Sequence, residues 1–256
     1  MARLPGEAAT ALVWLTRLPL GAALPRPIPS LALAAWAFPL AGLVVASCAG
    51  LVLIAAAAIG LPSPVVAILA IGTMVWLTGG IHEDGLADFA DGCGGATRER
   101  SLEIMRDSRI GSYGVIALMM VIGLRVGAVS ALVEDGSVSA AAALIGAAAF
   151  SRSGMAVALA KMPAARRDGL GREAGQVPVA RAAVAVILGF GALALAALTA
   201  KGGIAIVLLA PLACAAAQLF LARMALRRLG GQTGDVLGAI QQAGEAACLL
   251  AFLTWR

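Results

Sequence analysis

Seven apolar runs of near-bilayer length alternate with short polar stretches along this chain of 256 residues. They predict helices over 31–59, 64–80, 111–133, 137–160, 178–200, 202–222 and 236–255. A hydrocarbon core about 30 Å thick needs about 20 helical residues to cross it. The count is therefore seven spans, or six if the last run only dips into the bilayer. Ahead of them, the apolar run 8–15 is too short to span and sits among Arg3, Arg17, Arg26 and several prolines, which predicts an interfacial helix. Thr97 reads as the N-cap of a short helix through Asp107. Residues 161–177 read as a loop and 230–235 as a turn that places Asp235 at a helix start.

Composition agrees with the pattern. The chain is 61% hydrophobic and 13% charged, with a mean hydropathy of +0.95. That balance belongs to a polytopic, all-α membrane bundle, with residues 1–256 forming one integral membrane domain. The 31 glycines suit close approach of transmembrane helices. No internal repeat and no soluble second domain are evident. The net charge of +5 does not point to nucleic acid, because the basic residues lie between apolar runs. Segments 1–30, 80–110, 161–181 and 223–235 hold 15 of the 19 Lys and Arg residues, and the alternate connections hold almost none. By the positive-inside rule the basic side is cytoplasmic. Cys48, Cys93, Cys214 and Cys248 are scattered, mostly in apolar runs, and read as small hydrophobes. No cleavable signal peptide is expected, since Thr16 and Arg17 interrupt the first apolar stretch.

One stretch departs from this monotony. Residues 79–111, GGIHEDGLADFADGCGGATRERSLEIMRDSRIG, carry seven of the chain's 14 acidic residues and its one histidine, His82. Asp84, Asp88 and Asp91 are spaced i, i+4, i+7. At about 100° per residue, they fall within roughly 60° on one helical face. Like charges so placed repel one another, more strongly near a membrane, and a hard divalent cation such as Mg²⁺ relieves them. Sulfur and imidazole ligands are too scarce for zinc. Gly85, Gly92, Gly94 and Gly95 suit close ligand approach, and the arginines downstream offer forks for phosphate oxygens. A solvated acidic helix face is the plainer alternative.

HEDGLADFADG followed by RERSLEIMRDSRIGSYG closely resembles the signature of the cobalamin 5′-phosphate synthase (adenosylcobinamide-GDP ribazoletransferase) family. The resemblance continues in WLTRLPL at 14–20 and GGQTGDVLGAIQQAGE at 230–245, and so spans nearly the whole chain. The aspartate spacing is also similar to that of CDP-alcohol phosphotransferases, but their Asp-Gly-x-x-Ala-Arg pattern is absent: Asp91-Gly92 is followed by Cys-Gly-Gly. The resemblance implies transfer of α-ribazole or its 5′-phosphate onto adenosylcobinamide-GDP with release of GMP, at a bacterial inner (cytoplasmic) membrane. It implies Mg²⁺ held by Asp84, Asp88 and Asp91, with Glu83 as a further ligand. Asp84 matches the most telling catalytic position, as ligand, general base or both. His82 is the other candidate base, with a backbone-bonded helix-start residue as the equal alternative. Arg17, Arg106, Asp107, Arg109, Arg152 and Asp235 complete the expected substrate-binding set. Tyr113 reads as an interfacial anchor rather than a base-stacking platform. The expected partners are the two substrates and the lipid bilayer, without nucleic acid; a homo-oligomer is compatible with the sequence.

Three ionisable residues fall inside predicted spans: Arg125, Arg152 and Glu245. Charge inside a bilayer is expensive and faces protein or a cavity. Arg152, about 12 Å from the cytoplasmic end of its span, is expected to contact substrate phosphate or the acidic site rather than simply pair with Glu245. For Arg125 and Glu245, a structural ion pair or snorkelling competes with catalysis. Such residues would also line the path of a transporter, the rival class, as the CDP-alcohol phosphotransferases are the rival chemistry.

Overall fold

The computed structural model describes residues 3–166, 174–200 and 203–255. Part of the predicted 161–177 loop, and Lys201, lie outside them. Among the described residues there is no strand, only an isolated parallel bridge between Ala164 and Gln232. The helices are α1 (Arg3–Leu15), α2 (Leu31–Ala34), α3 (Phe38–Ala58), α4 (Ser63–Thr78), α5 (Ile81–Gly92), α6 (Arg98–Ile104), α7 (Ser112–Asp135), α8 (Ser137–Lys161), α9 (Val179–Thr199), α10 (Gly203–Leu229) and α11 (Gly234–Phe252), with short 3₁₀ turns at Gly21–Ala23, Ala35–Ala37 and Leu253–Trp255.

Five helical stretches are long and apolar enough to cross a membrane: Leu31–Ala58, Ser112–Asp135, Ser137–Lys161, Val179–Thr199 and Gly203–Leu229. A sixth is reached only by joining α4 to α5, which meet at 88°. The bend is built from Gly79 and Gly80, both at φ +71°, a conformation that glycine adopts without a Cβ penalty. The acidic helix α5 thus turns at the end of α4 instead of extending it, and its twelve residues are too few to cross a bilayer by themselves.

The last predicted span is α11, and its composition explains why it is the odd one. It carries Gln241, Gln242 and Glu245, all buried, and packs against α5, α7, α8 and α10. A helix enclosed by other helices does not need a lipid-compatible surface. Close packing runs through small residues. A Cβ on Gly42 of α3 would overlap the backbone of Ala148 on α8, and one on Gly85 of α5 would lie 2.9 Å from the backbone of Asp235. Across the same crossing, Gly238 of α11 faces the backbone of His82. Leu86 and Phe89 of α5 are buried in one apolar cluster with Leu237 and Ile240 of α11, each worth about 1.5–3 kcal/mol relative to exposure.

The predicted interfacial helix α1 is held by a clasp at its buried Glu7. Its Oε2 accepts from Trp36 Nε1 at 2.7 Å and from Arg181 Nη1 at 2.7 Å.

Candidate active site on the acidic helix

Docking of α5 on α11 sorts its acids. Asp84 is exposed and Asp88 half-buried, and neither side chain has a hydrogen-bond or ion-pair partner among the described residues. Burial, then Asp84, Asp235 and Asp91, pushes the Asp88 carboxyl up to about 7. Asp235, in the first turn of α11, is likewise raised by burial, with Arg166 opposing. Carboxyls raised by burial and by neighbouring carboxylates mark a place where a cation would be stabilised.

The other acids of the motif are committed elsewhere. Asp91 is buried, and its two carboxylate oxygens accept from the backbone N–H groups of Gly111 at 2.7 Å and Gly114 at 2.9 Å. It therefore caps α7, whose first turn would otherwise leave those donors unpaired. Glu83 points into the bundle, where Oε1 accepts from Arg125 Nη1 at 3.1 Å and Gln242 Nε2 at 2.8 Å. The expected metal set of four acids is thereby reduced: neither Glu83 nor Asp91 faces the open side with Asp84 and Asp88. Among the described residues no three His, Cys, Asp or Glu side chains form a ready-made metal cage. The donor set that remains, unpaired oxygens on Asp84 and Asp88 with Asp235 behind them, fits a hard cation that takes one or two carboxylates and completes its shell with substrate phosphate.

Arg152 departs most clearly from expectation. It is buried, and its Nη1 lies 3.6 Å from Glu245 Oε2 and donates to the Ala148 carbonyl at 2.8 Å. Glu245 Oε1 also accepts from Arg125 Nη2 at 2.6 Å, and Gln241 Nε2 donates to Oε2 at 2.6 Å. Glu83, Arg125, Glu245 and Arg152 thus form one chain of alternating charge. Each charge in it is paired with one of opposite sign, as buried charge requires, while Glu83 Oε2, Arg125 Nε and Arg152 Nε have no hydrogen-bond partner among the described residues; Arg152 is paired with Glu245. Nor does this network resemble an open ion path. His82 is also buried, with no partner for its Nε2 among the described residues, and is enclosed rather than presented to a substrate.

The remaining expected residues lie around the rim. Arg17 is exposed and drapes over Gly79, where a Cβ would collide with its side chain. Arg106 is exposed. Asp107 and Arg109 pair with each other, Oδ2 to Nη2 at 2.7 Å, and that bond holds the Asp107 carboxyl down at about 2. They line a cavity of about 470 Å³ with Arg100, Glu103 and Tyr113. Tyr113 is 63% exposed.

Arg166 was not foreseen. Its Nη1 lies 3.6 Å from Asp235 Oδ2, and its Nη2 donates to the Leu102 carbonyl at 3.2 Å. A cation in a loop has no periodic signal, and only the tertiary pairing of segments 163–165 and 232 brings it here. That pairing explains the GGQTGD turn. Gly230 sits at φ +73°, and a Cβ on Gly231 would overlap the Pro163 carbonyl. Gln232 N–H donates to Pro163 and its carbonyl accepts from Ala165 N–H, both at 2.8 Å. Thr233 caps α11 by accepting from Val236 N–H at 3.2 Å.

Comparison with known proteins places this arrangement. The chain is 44% identical over 238 residues to an adenosylcobinamide-GDP ribazoletransferase of Bradyrhizobium diazoefficiens, covering 93% of this chain and 89% of that protein. It is 44% identical over 257 residues to the protein of the same name from Azorhizobium caulinodans, covering 99% and 97%. With that of Brucella canis it shares 39% over 252 residues, covering 97% and 96%. No solved structure matches it. The model of the cobalamin-5-phosphate synthase family matches residues 7–253, which take in the acidic helix, the buried charge network and the GGQTGD turn alike, and the chain therefore belongs to that family.

Proposed function

We propose that the protein is an adenosylcobinamide-GDP ribazoletransferase: it joins adenosylcobinamide-GDP to α-ribazole or its 5′-phosphate and releases GMP. The observation that carries this reading is the near-full-length match to relatives of that name, on a chain whose acidic helix keeps Asp84 and Asp88 unpaired beside Asp235.

In this reaction an acceptor hydroxyl forms a new P–O bond to the cobinamide-side phosphorus of the diphosphate, the bridging P–O bond breaks, and GMP departs with the electron pair. Asp84, exposed and unpaired, takes the hydroxyl proton. His82, enclosed between α5 and α11, is not assigned that role. Asp88 and Asp235 would hold Mg²⁺, with Asp84 beside them. When bound, the ion neutralises charge on the phosphate oxygens and on the departing phosphate. Arg166, anchored on Asp235, stands beside this centre as a phosphate fork. The Lys/Arg asymmetry supports a cytoplasmic position for the acidic end of the bundle, in a bacterial inner membrane.

Purified protein supplied with adenosylcobinamide-GDP, α-ribazole and Mg²⁺ is expected to release GMP. Release of CMP from a CDP-activated alcohol, with no GMP from the corrinoid donor, would overturn the assignment.

A further inference from the structure

Beside the acidic centre, a cavity of about 920 Å³ lies between the C-terminal end of α8, the start of α6 and the turn that precedes α11. Its charged lining is of one sign: Arg98, Lys161 and Arg166, with Gln176 and Gln232 as neutral polar neighbours. No carboxylate lines it among the described residues. A concave wall bearing cations alone focuses positive potential and concentrates anions.

The three cations are held in different ways. Arg98 is fixed by donating from Nε to the Leu229 carbonyl and from Nη2 to the Ala165 carbonyl, both at 2.6 Å. Arg166 is fixed by Leu102 and Asp235. Lys161 ends α8 exposed, with no ion-pair partner among the described residues. Arg166 is also the link between cavity and centre. It lines the one, contacts Asp235 in the other, and is among the charges that act on Asp88. An anion in this cavity is therefore next to the place where the carboxylates gather.

The geometry points to this cavity as the pocket for a phosphate group of a substrate, gripped by Arg166 and Lys161. The assignment rests on the proposed transferase reading for the identity of that substrate, while the chemistry it names, a phosphate monoester or diphosphate, is read from the cavity itself. Two sources carry that chemistry: the diphosphate of the donor and the 5′-phosphate of a phosphorylated acceptor. Arg166 supplies a planar fork for two oxygens, and Lys161 a mobile point charge.

The sequence offers a clean reporter, because Lys161 and Lys201 are its only lysines. The full chain in detergent would be treated with an amine-reactive reagent, with inorganic pyrophosphate, GMP or ribose 5-phosphate as competitor, and the modification of each lysine read by mass spectrometry. Lys161 is expected to be protected, with Lys201 unaffected. Protection by pyrophosphate and GMP alone assigns the pocket to the donor; protection by ribose 5-phosphate alone assigns it to the acceptor. In Arg166→Gln the midpoint of protection should rise at least about tenfold, equivalent to ~1.4 kcal/mol, and Arg166→Lys should recover part of it. Lys161→Gln should raise KM for the phosphate-bearing substrate by a similar factor with little change in kcat. Failure of all three competitors at millimolar concentration to protect Lys161, in protein that releases GMP, overturns the pocket. Protection in protein that releases no GMP would sink the proposed reaction and leave the pocket standing.

Discussion

Glu83 and Asp91 share a twelve-residue helix with Asp84 and Asp88, yet they serve the fold, one gripping Arg125 and the other capping α7. Periodicity placed these acids on α5, but the partner of each is supplied by α7 or α11, more than nineteen residues away in sequence. The division of labour predicts different failures. Asp84→Asn should lose at least about tenfold in turnover, at least ~1.4 kcal/mol of transition-state stabilisation, and should insert and melt like the parent. Asp91→Asn should lower the melting temperature, because the amide that replaces one oxygen meets an N–H donor. In the buried network, Glu245 serves two arginines and Arg152 only one carboxylate. Glu245→Gln should therefore destabilise more than Arg152→Gln, by a few kcal/mol against a smaller loss. The double variant should recover part of the difference in a detergent unfolding series. Asp88 adds a pH test. Its folded pKa of about 7 exceeds the ordinary 3.8, so the folded state holds its proton more tightly, and stability without metal should fall as pH rises from 4 to 7. A divalent ion competes with that proton, so Mn²⁺ affinity measured by electron paramagnetic resonance should weaken below pH 7. Asp88→Asn should weaken both trends and leave the part carried by Asp235, whose carboxyl is raised as well.

At the scale of elements, the apolar runs were legible, because lipid and core both demand apolar residues over a fixed length. Predicted boundaries agree closely for α8, 137–160 against Ser137–Lys161, and α9, 178–200 against Val179–Thr199. What the pattern could not tell was which helix the others enclose. Glu245 was legible as a candidate for a structural ion pair, which it forms with Arg125; that it shares with Gln241 and Gln242 the face on which α5, α7 and α8 meet was not. Crossing points were equally hidden, since a glycine between two helices reads the same as one facing lipid. Gly85→Ala separates these cases. Mid-helix, the change should stabilise by about 0.5–1 kcal/mol on propensity alone, but its Cβ would meet the Asp235 backbone at 2.9 Å. Packing should win: turnover and melting temperature are expected to drop. Gly72→Ala on α4, with nothing within 4 Å, should be neutral or slightly stabilising.

For the molecule as a whole, the charge asymmetry and the fold make one joint prediction. Thiol labelling of intact cells in a background lacking the native cysteines should modify Thr199→Cys from outside. Glu99→Cys should be modified only after the membrane is made permeable. Labelling of Glu99→Cys from outside would reverse the orientation proposed here.

The bend at Gly79-Gly80 has an electrostatic consequence. A straight continuation of α4 would carry residues 81–92 about 18 Å further along its axis and stack their peptide dipoles onto those of the span. Breaking the helix instead creates a second N-terminus, with partial positive charge of roughly half a unit, where Glu83 and Asp84 occupy the first turn. The chain thereby supplies its own cationic end to the segment richest in carboxylates, and does so with backbone alone. Straightening the bend by substituting both glycines would remove that compensation as well as the docking of α5, so the loss should exceed what strain at two left-handed positions accounts for.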